Sequence, residues 1–211
     1  MLLAASASSG GPVKSSKATP PVTWLFQYPE GPPYSSHARD VRNDPRFRAL
    51  LENSFHQHAF FWNGPHLLWK VAEDFLNVGS GGVKVREHRY AIIEGCVPHM
   101  CDEEEGFLWV DTKSEKPKAI FAALTAIRGE GIHGSPSLFH LWIFSNSTLR
   151  QDHVTNESLP DDFLYPLQDW FDEIGGRDLV SATFVGPNDG MIPLLPSALH
   201  LAGTSGLPHQ E

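Results

Sequence analysis

Two cysteines in 211 residues cannot supply a Cys₄ zinc site or a scaffold held by several disulfides. Long apolar runs are also missing. A bilayer span needs about 20 predominantly apolar residues, and the longest late candidate, Ile192 to Ala202, is broken by Pro193, Pro196 and His200. Positive charge is scarce: 16 Lys and Arg stand against 25 Asp and Glu, a formal net charge of −9. A nucleic-acid partner needs a basic surface to displace counterions, so none is expected. G-x-S-x-G and H-E-x-x-H are both absent. Gly79-Ser80-Gly81-Gly82 lacks the Gly-Lys-Ser/Thr ending of a phosphate loop and reads as a turn. His56-Gln57-His58 has no third ligand at metal spacing, so surface histidines are the better reading. No metal, no cofactor and no catalytic activity are expected.

What remains is enough for a core. Hydrophobic residues make up 41% and there are 6 Trp, so wholesale disorder is excluded. The opening Met1-Leu2-Leu3-Ala4-Ala5-Ser6-Ala7 reads either as the end of a secretory signal, with A-x-A at Ala5 to Ala7, or as a chance run of small residues. Residues 8 to 22 are a Ser, Gly, Pro, Lys and Thr stretch with little to bury. Trp24, Leu25, Phe26 and Tyr28 follow, an aromatic cluster expected to tack an extended segment onto the core.

Asp44-Pro45 marks a helix start, and Phe47, Leu50, Leu51 and Phe55 form its apolar stripe. Gly64-Pro65 opens a second helical stretch with Leu68, Val71, Ala72 and Phe75 on one face. Strands are then predicted around Val83 and Val85, Tyr90 to Ile93, Phe107 to Val110, Ala119 to Leu124 and Leu138 to Phe144. A helix over 160 to 174, with capping-box spacing at Ser158 and Asp161, is stopped by Gly175-Gly176. Leu179 to Val185 is the last predicted strand. The fold class is α+β: a mostly antiparallel sheet of about five strands, with N-terminal helices and a later helix packed on it. The expected division is a leader over 1–39, one domain over 40–186 and a Pro/Gly-rich tail over 187–211.

Gly95-Cys96-Val97-Pro98-His99-Met100-Cys101-Asp102 is the most informative segment. A disulfide between Cys96 and Cys101 would close a small ring worth about 2 kcal/mol on the chain-entropy model. Its larger effect would be local, fixing the direction of His99 beside a rigid proline. A preorganised protrusion loses less conformational entropy on docking than a free loop. A reduced, incidental pair is the plain alternative. Metal ligation lacks a second ligand pair, and a redox pair normally brackets two residues rather than four.

Gly-Cys-x-Pro-His-x-Cys at 95 to 101, directly after Tyr90-Ala91-Ile92-Ile93, resembles the inhibitory loop of the Ivy family, inhibitors of vertebrate-type lysozyme. That family's hallmark is Cys-Lys-Pro-His-Asp-Cys with its cysteines disulfide-bonded. The similarity extends over about residues 40 to 145, from the helix with Phe47 and Leu50 to the strand with Leu141 and Trp142. It implies a disulfide between Cys96 and Cys101, and a periplasmic or secreted protein of the bacterial cell envelope. It also implies that His99 enters the lysozyme cleft and hydrogen-bonds the catalytic carboxylates. The partner-binding set is then Cys96, Val97, Pro98, His99, Met100, Cys101, Asp102 and Glu103.

Val97 stands where the family has lysine and Met100 where it has aspartate, so the contacts to a partner must change. Asp102, Glu103, Glu104 and Glu105 follow the ring. They read either as a group steering a basic lysozyme toward the loop or as a solvated acidic turn. The expected partner is a C-type lysozyme or another basic envelope protein, bound by a monomer or a homodimer. The competing reading is a cell-envelope binding module with the same fold and a different partner. Asn146-Ser147-Thr148 and Asn156-Glu157-Ser158 match glycosylation sequons, relevant only in a glycosylating host.

Overall fold

Asp44 shows how closely local chemistry sets the elements. In a computed structural model describing residues 22–30, 40–59, 66–114, 116–127, 138–147 and 159–201, its carboxylate accepts the Arg46 backbone N–H at 2.8 Å and the Tyr28 hydroxyl at 2.6 Å. That caps helix α1 (Pro45–Ser54), with proline at the first turn. Phe47, Leu50 and Leu51 are buried along its inner face, as their spacing predicts. A short two-stranded ribbon, β1 (His58–Ala59) and β2 (His66–Leu67), leads to α2 (Leu68–Phe75). Gly64-Pro65, the predicted helix opening, lies outside the described residues.

Seven further strands form one sheet whose spatial order is the chain order. They are β3 (Lys84–Arg86), β4 (Tyr90–Cys96), β5 (Glu104–Asp111), β6 (Lys118–Ile127), β7 (Leu138–Ser145), β8 (Leu179–Val185) and β9 (Met191–Leu194). Helix α3 (Asp161–Glu173) lies between β7 and β8, and among the described strands of this sheet only that pair is parallel. The antiparallel β3–β7 meander follows from the short links between strands; the parallel pair follows from a helical crossover.

The sheet is buried on both faces. Ala91, Ile93, Leu108, Val110, Ala119, Phe121 and Ala123 share one cluster with the buried faces of α1 and α2. Tyr90, Ile92, Phe107, Trp109, Ile120, Ala122 and Leu124 share the other with α3. Double burial explains why β5 reads as an unbroken apolar run from Phe107 to Val110 rather than an alternating one. α3 is aligned by a polar stripe along one flank. Its Asp162 accepts the Tyr90 hydroxyl, Asp169 pairs with Arg86 at 2.5 Å, and Glu173 pairs with Lys84 at 2.8 Å.

Four expectations change. The sheet has seven strands rather than about five. Val22–Gln27, expected to be extended, is a 3₁₀ helix with Val22, Trp24 and Leu25 buried. Aromatic content correctly gives the burial, but it does not specify the backbone. α3 has Pro160 at its N-cap with no side-chain cap bond, so Asp161 makes no capping box; Ser158 lies outside the described residues. Residues 191–199, assigned to a tail by composition, instead form β9 and a 3₁₀ turn (Pro196–Leu199). β9 is an edge strand, and the edge is where a sheet tolerates Pro193.

Candidate functional site

The predicted loop is the connection between β4 and β5, and its base is held from two sides. Gly95 and Gly106 face each other across these strands. A side chain at either position would collide with α2's C-terminal end. A Cβ on Gly95 would lie 2.7 Å from Leu76 Cα, and one on Gly106 would lie 2.6 Å from the Phe75 carbonyl oxygen. The missing side chains let the helix end press directly onto the hairpin. Next to them, Cys96 exchanges two backbone hydrogen bonds with Val78, donating at 2.8 Å and accepting at 3.1 Å. On the exit side, the Ala126 N–H of β6 donates to the Glu103 carbonyl at 2.8 Å.

Between these anchors the chain makes two tight turns. Cys96 and Cys101 are disulfide-bonded, with their Cα atoms 4.9 Å apart. The bond is the one the family resemblance implies, and the reduced, incidental pair is not what the structure holds. The Met100 N–H donates to the Val97 carbonyl at 2.9 Å, closing a turn with Pro98 and His99 at its centre. Proline at i+1 and a positive φ at i+2 are the signature of a type II turn, and His99 has φ +67°. The position normally favours glycine, yet it holds an imidazole here, and both Pro98 and His99 are exposed. The Glu103 and Glu104 N–H groups then both donate to the Met100 carbonyl, at 2.8 and 2.7 Å. Val97 N–H donates to the Glu104 carbonyl at 3.0 Å and closes the hairpin.

The two departures from the family pattern occupy half-buried positions. Val97 packs against the cluster shared with α1 and α2. An apolar side chain suits that position, whereas a lysine would have to carry its charge outward along its stem.

The acidic run after the ring divides. Asp102 is exposed, Glu103 and Glu104 are half-buried, and Glu105 is buried within β5. Burial pushes the Glu105 carboxyl up from its ordinary range, and the Arg177 guanidinium, 3.2 Å away, pulls against that shift. A uniformly solvated acidic turn is thus ruled out at Glu105. Arg177 was absent from the sequence reading; it lies 72 residues from Glu105, and no local pattern signals so distant a pairing.

The remaining candidates behave as surface features. His56 and His58 are exposed, and among the described residues no cluster of His, Cys, Asp and Glu is suited to a metal ion. The arginines around α1 are paired within that region, Arg42 with Asp40, Arg46 with the buried cap Asp44 and Arg48 with Glu52. No helix among the described residues is long and apolar enough to cross a membrane.

Fold and loop together define a class: an α+β protein whose helix-backed sheet presents a disulfide-closed hairpin loop at one end. Residues 64–129 match the family model described as inhibitor of vertebrate lysozyme (Ivy). The resemblance carried by the cysteine loop is therefore shown, over a stretch narrower than the 40 to 145 expected from the sequence and centred on the loop. No curated protein and no solved structure matches the chain.

Proposed function

We propose that this protein inhibits C-type lysozyme by inserting the Cys96–Cys101 loop, led by His99, into the enzyme's active-site cleft. The observation that carries the reading is the exposed His99 at the i+2 position of a covalently closed turn, within a segment matched by the inhibitor family. The chemistry fits the target. Glycosidases of this type keep one carboxyl group protonated and one ionised. A neutral imidazole offers one donor nitrogen and one acceptor nitrogen, so a single ring can satisfy both carboxyl groups. Cys96, Val97, Pro98, Met100, Cys101, Asp102 and Glu103 would form the rest of the contact. Inhibition would then be steric and electrostatic, with no reaction performed by the inhibitor. A periplasmic or secreted location follows from such a target.

Titration against hen-type lysozyme acting on cell-wall suspensions tests this. The expected result is saturable inhibition, weakened at least tenfold by His99→Ala and by reduction of the disulfide. Absence of inhibition at large molar excess overturns it.

The half-buried Val97 and Met100, in place of the family's Lys and Asp, favour a second reading: an envelope binding module with another partner. Capture of an envelope protein by the wild-type chain but not by His99→Ala, without lysozyme inhibition, would select it.

A further inference from the structure

The loop's exit is gripped by a residue from a part of the chain that the family match does not reach. Arg177 lies between α3 and β8, and its immediate surroundings are fixed. The Asp178 carbonyl accepts the Phe139 N–H at 2.9 Å, and the Arg177 carbonyl accepts the Leu179 N–H at 2.8 Å. The guanidinium passes over the Phe139 ring at 5.6 Å and reaches Glu105 at 3.2 Å and Asp102 at 3.9 Å. Glu105 is the register partner of Cys96, and Asp102 directly follows Cys101. One cation thus spans the base of the ring and its exit.

We propose that Arg177 is a positioning residue for the His99 turn, acting through Glu105 and Asp102. Three features support this. Glu105 is buried, so its carboxylate needs a partner more than a surface acid does. Both carboxylates are reached from one guanidinium nitrogen, Nη2, while the planar group sits over the Phe139 ring, so a single positioned cation serves both acids. Finally, Asp102 and Glu105 are like charges at the loop's exit, and Arg177 lies within reach of both, so one cation offsets their repulsion. α3 and β8 therefore do more than complete the fold: they deliver the charge that holds the turn. The effect of Arg177 on inhibition rests on the lysozyme reading; its effect on loop order does not.

The test is amide hydrogen exchange at Met100, Glu103 and Glu104, with the rate of Cys96–Cys101 reduction by dithiothreitol as a second readout. Both are measured on the full chain as wild type, Arg177→Met and Arg177→Lys. Arg177→Met is expected to speed exchange and reduction about tenfold while the Ile120 to Ala123 amides of β6 keep their protection. Arg177→Lys keeps the charge without the planar group set over Phe139 and should fall between. If Arg177→Met does not fold cooperatively, Glu105→Gln carries the test with the same expectation. Loop exchange within twofold of wild type, or an equal rise in β6, overturns the proposal. Wild-type chain that fails to bind lysozyme removes the inhibitor reading while the exchange comparison still decides the role of Arg177.

Discussion

A non-glycine residue held in the left-handed region costs on the order of 1–2 kcal/mol, and His99 carries that cost at φ +67° with its ring in solvent. Nothing in the packing of the turn demands an imidazole. Pro98 sets i+1, the Met100 N–H closes the turn, and glycine at i+2 would do so without strain. Strain retained at an exposed side chain is a pointer to what the side chain does. His99→Gly relieves the strain while adding unfolded-chain entropy of about 0.5–1 kcal/mol, so stability should stay within about 1 kcal/mol of wild type. His99→Ala keeps the strained backbone and should be the less stable of the two. Urea denaturation of both variants checks the order; a His99→Gly variant markedly less stable than His99→Ala would mean the left-handed backbone carries no such strain, and both variants far below wild type would mean the ring makes a structural contribution. The motif itself was legible from the sequence because Cys96, Pro98, His99 and Cys101 lie within six residues. The backbone state of His99 was not, since φ depends on the turn closed by Val97 and Met100. The seating of Val97 against the core was equally hidden, because it depends on where α2 lands.

At the scale of elements, periodicity gave α1, β4 to β8 and α3 nearly intact, because each buries side chains at the spacing its backbone dictates. Phe47, Leu50 and Leu51 mark a helical stripe, and Phe107 to Val110 mark a strand covered on both faces. The failures have equally local causes. Pro193 disguises β9, whose position at the edge excuses the missing N–H. The hairpin's docking site was also concealed, since nothing local to Gly95 or Gly106 signals a close approach by another element. Their importance comes from Phe75 and Leu76, which arrive from a different element. Gly106→Ala places a methyl 2.6 Å from the Phe75 carbonyl oxygen and 2.8 Å from Phe75 Cβ, and backbone cannot yield as a flexible side chain does. The expected loss is about 1–3 kcal/mol, with a fall in denaturant midpoint and an unchanged m-value. A Gly106→Ala protein with wild-type stability would show that α2 can withdraw from the hairpin at no cost.

Across the whole molecule, the helices do not cover every part of the sheet alike, and the difference has a consequence for acid stability. On the α1/α2 side, Glu104, Thr125, His140 and Ser181 lie in register across β5 to β8. His140 is half-buried in that row. Its Nδ1 lies 2.6 Å from the Ser181 hydroxyl, its ring lies 4.3 Å from Trp142, and its carbonyl accepts the Thr125 hydroxyl at 3.4 Å. Glu104 lies in the same row beyond Thr125. Burial pulls the imidazole pKa down from its ordinary value, because the charged ring is poorly solvated there. The unfolded chain, titrating near pH 6.5, therefore binds this proton more readily than the folded protein. As pH falls through about 6.5, the unfolded state gains protons first and stability declines, until the pH passes the lower folded pKa. The slope from one such group cannot exceed about 1.4 kcal/mol per pH unit. His140→Gln keeps a hydrogen-bonding group near Ser181 and removes the titration. Urea denaturation at pH 7.5, 6 and 5 should show wild type losing stability more steeply than His140→Gln across that range. Parallel pH dependences would mean that His140 accepts its proton in the folded protein as readily as in the unfolded chain. The sheet face beside the loop would then be wetter than the burial of His140 implies.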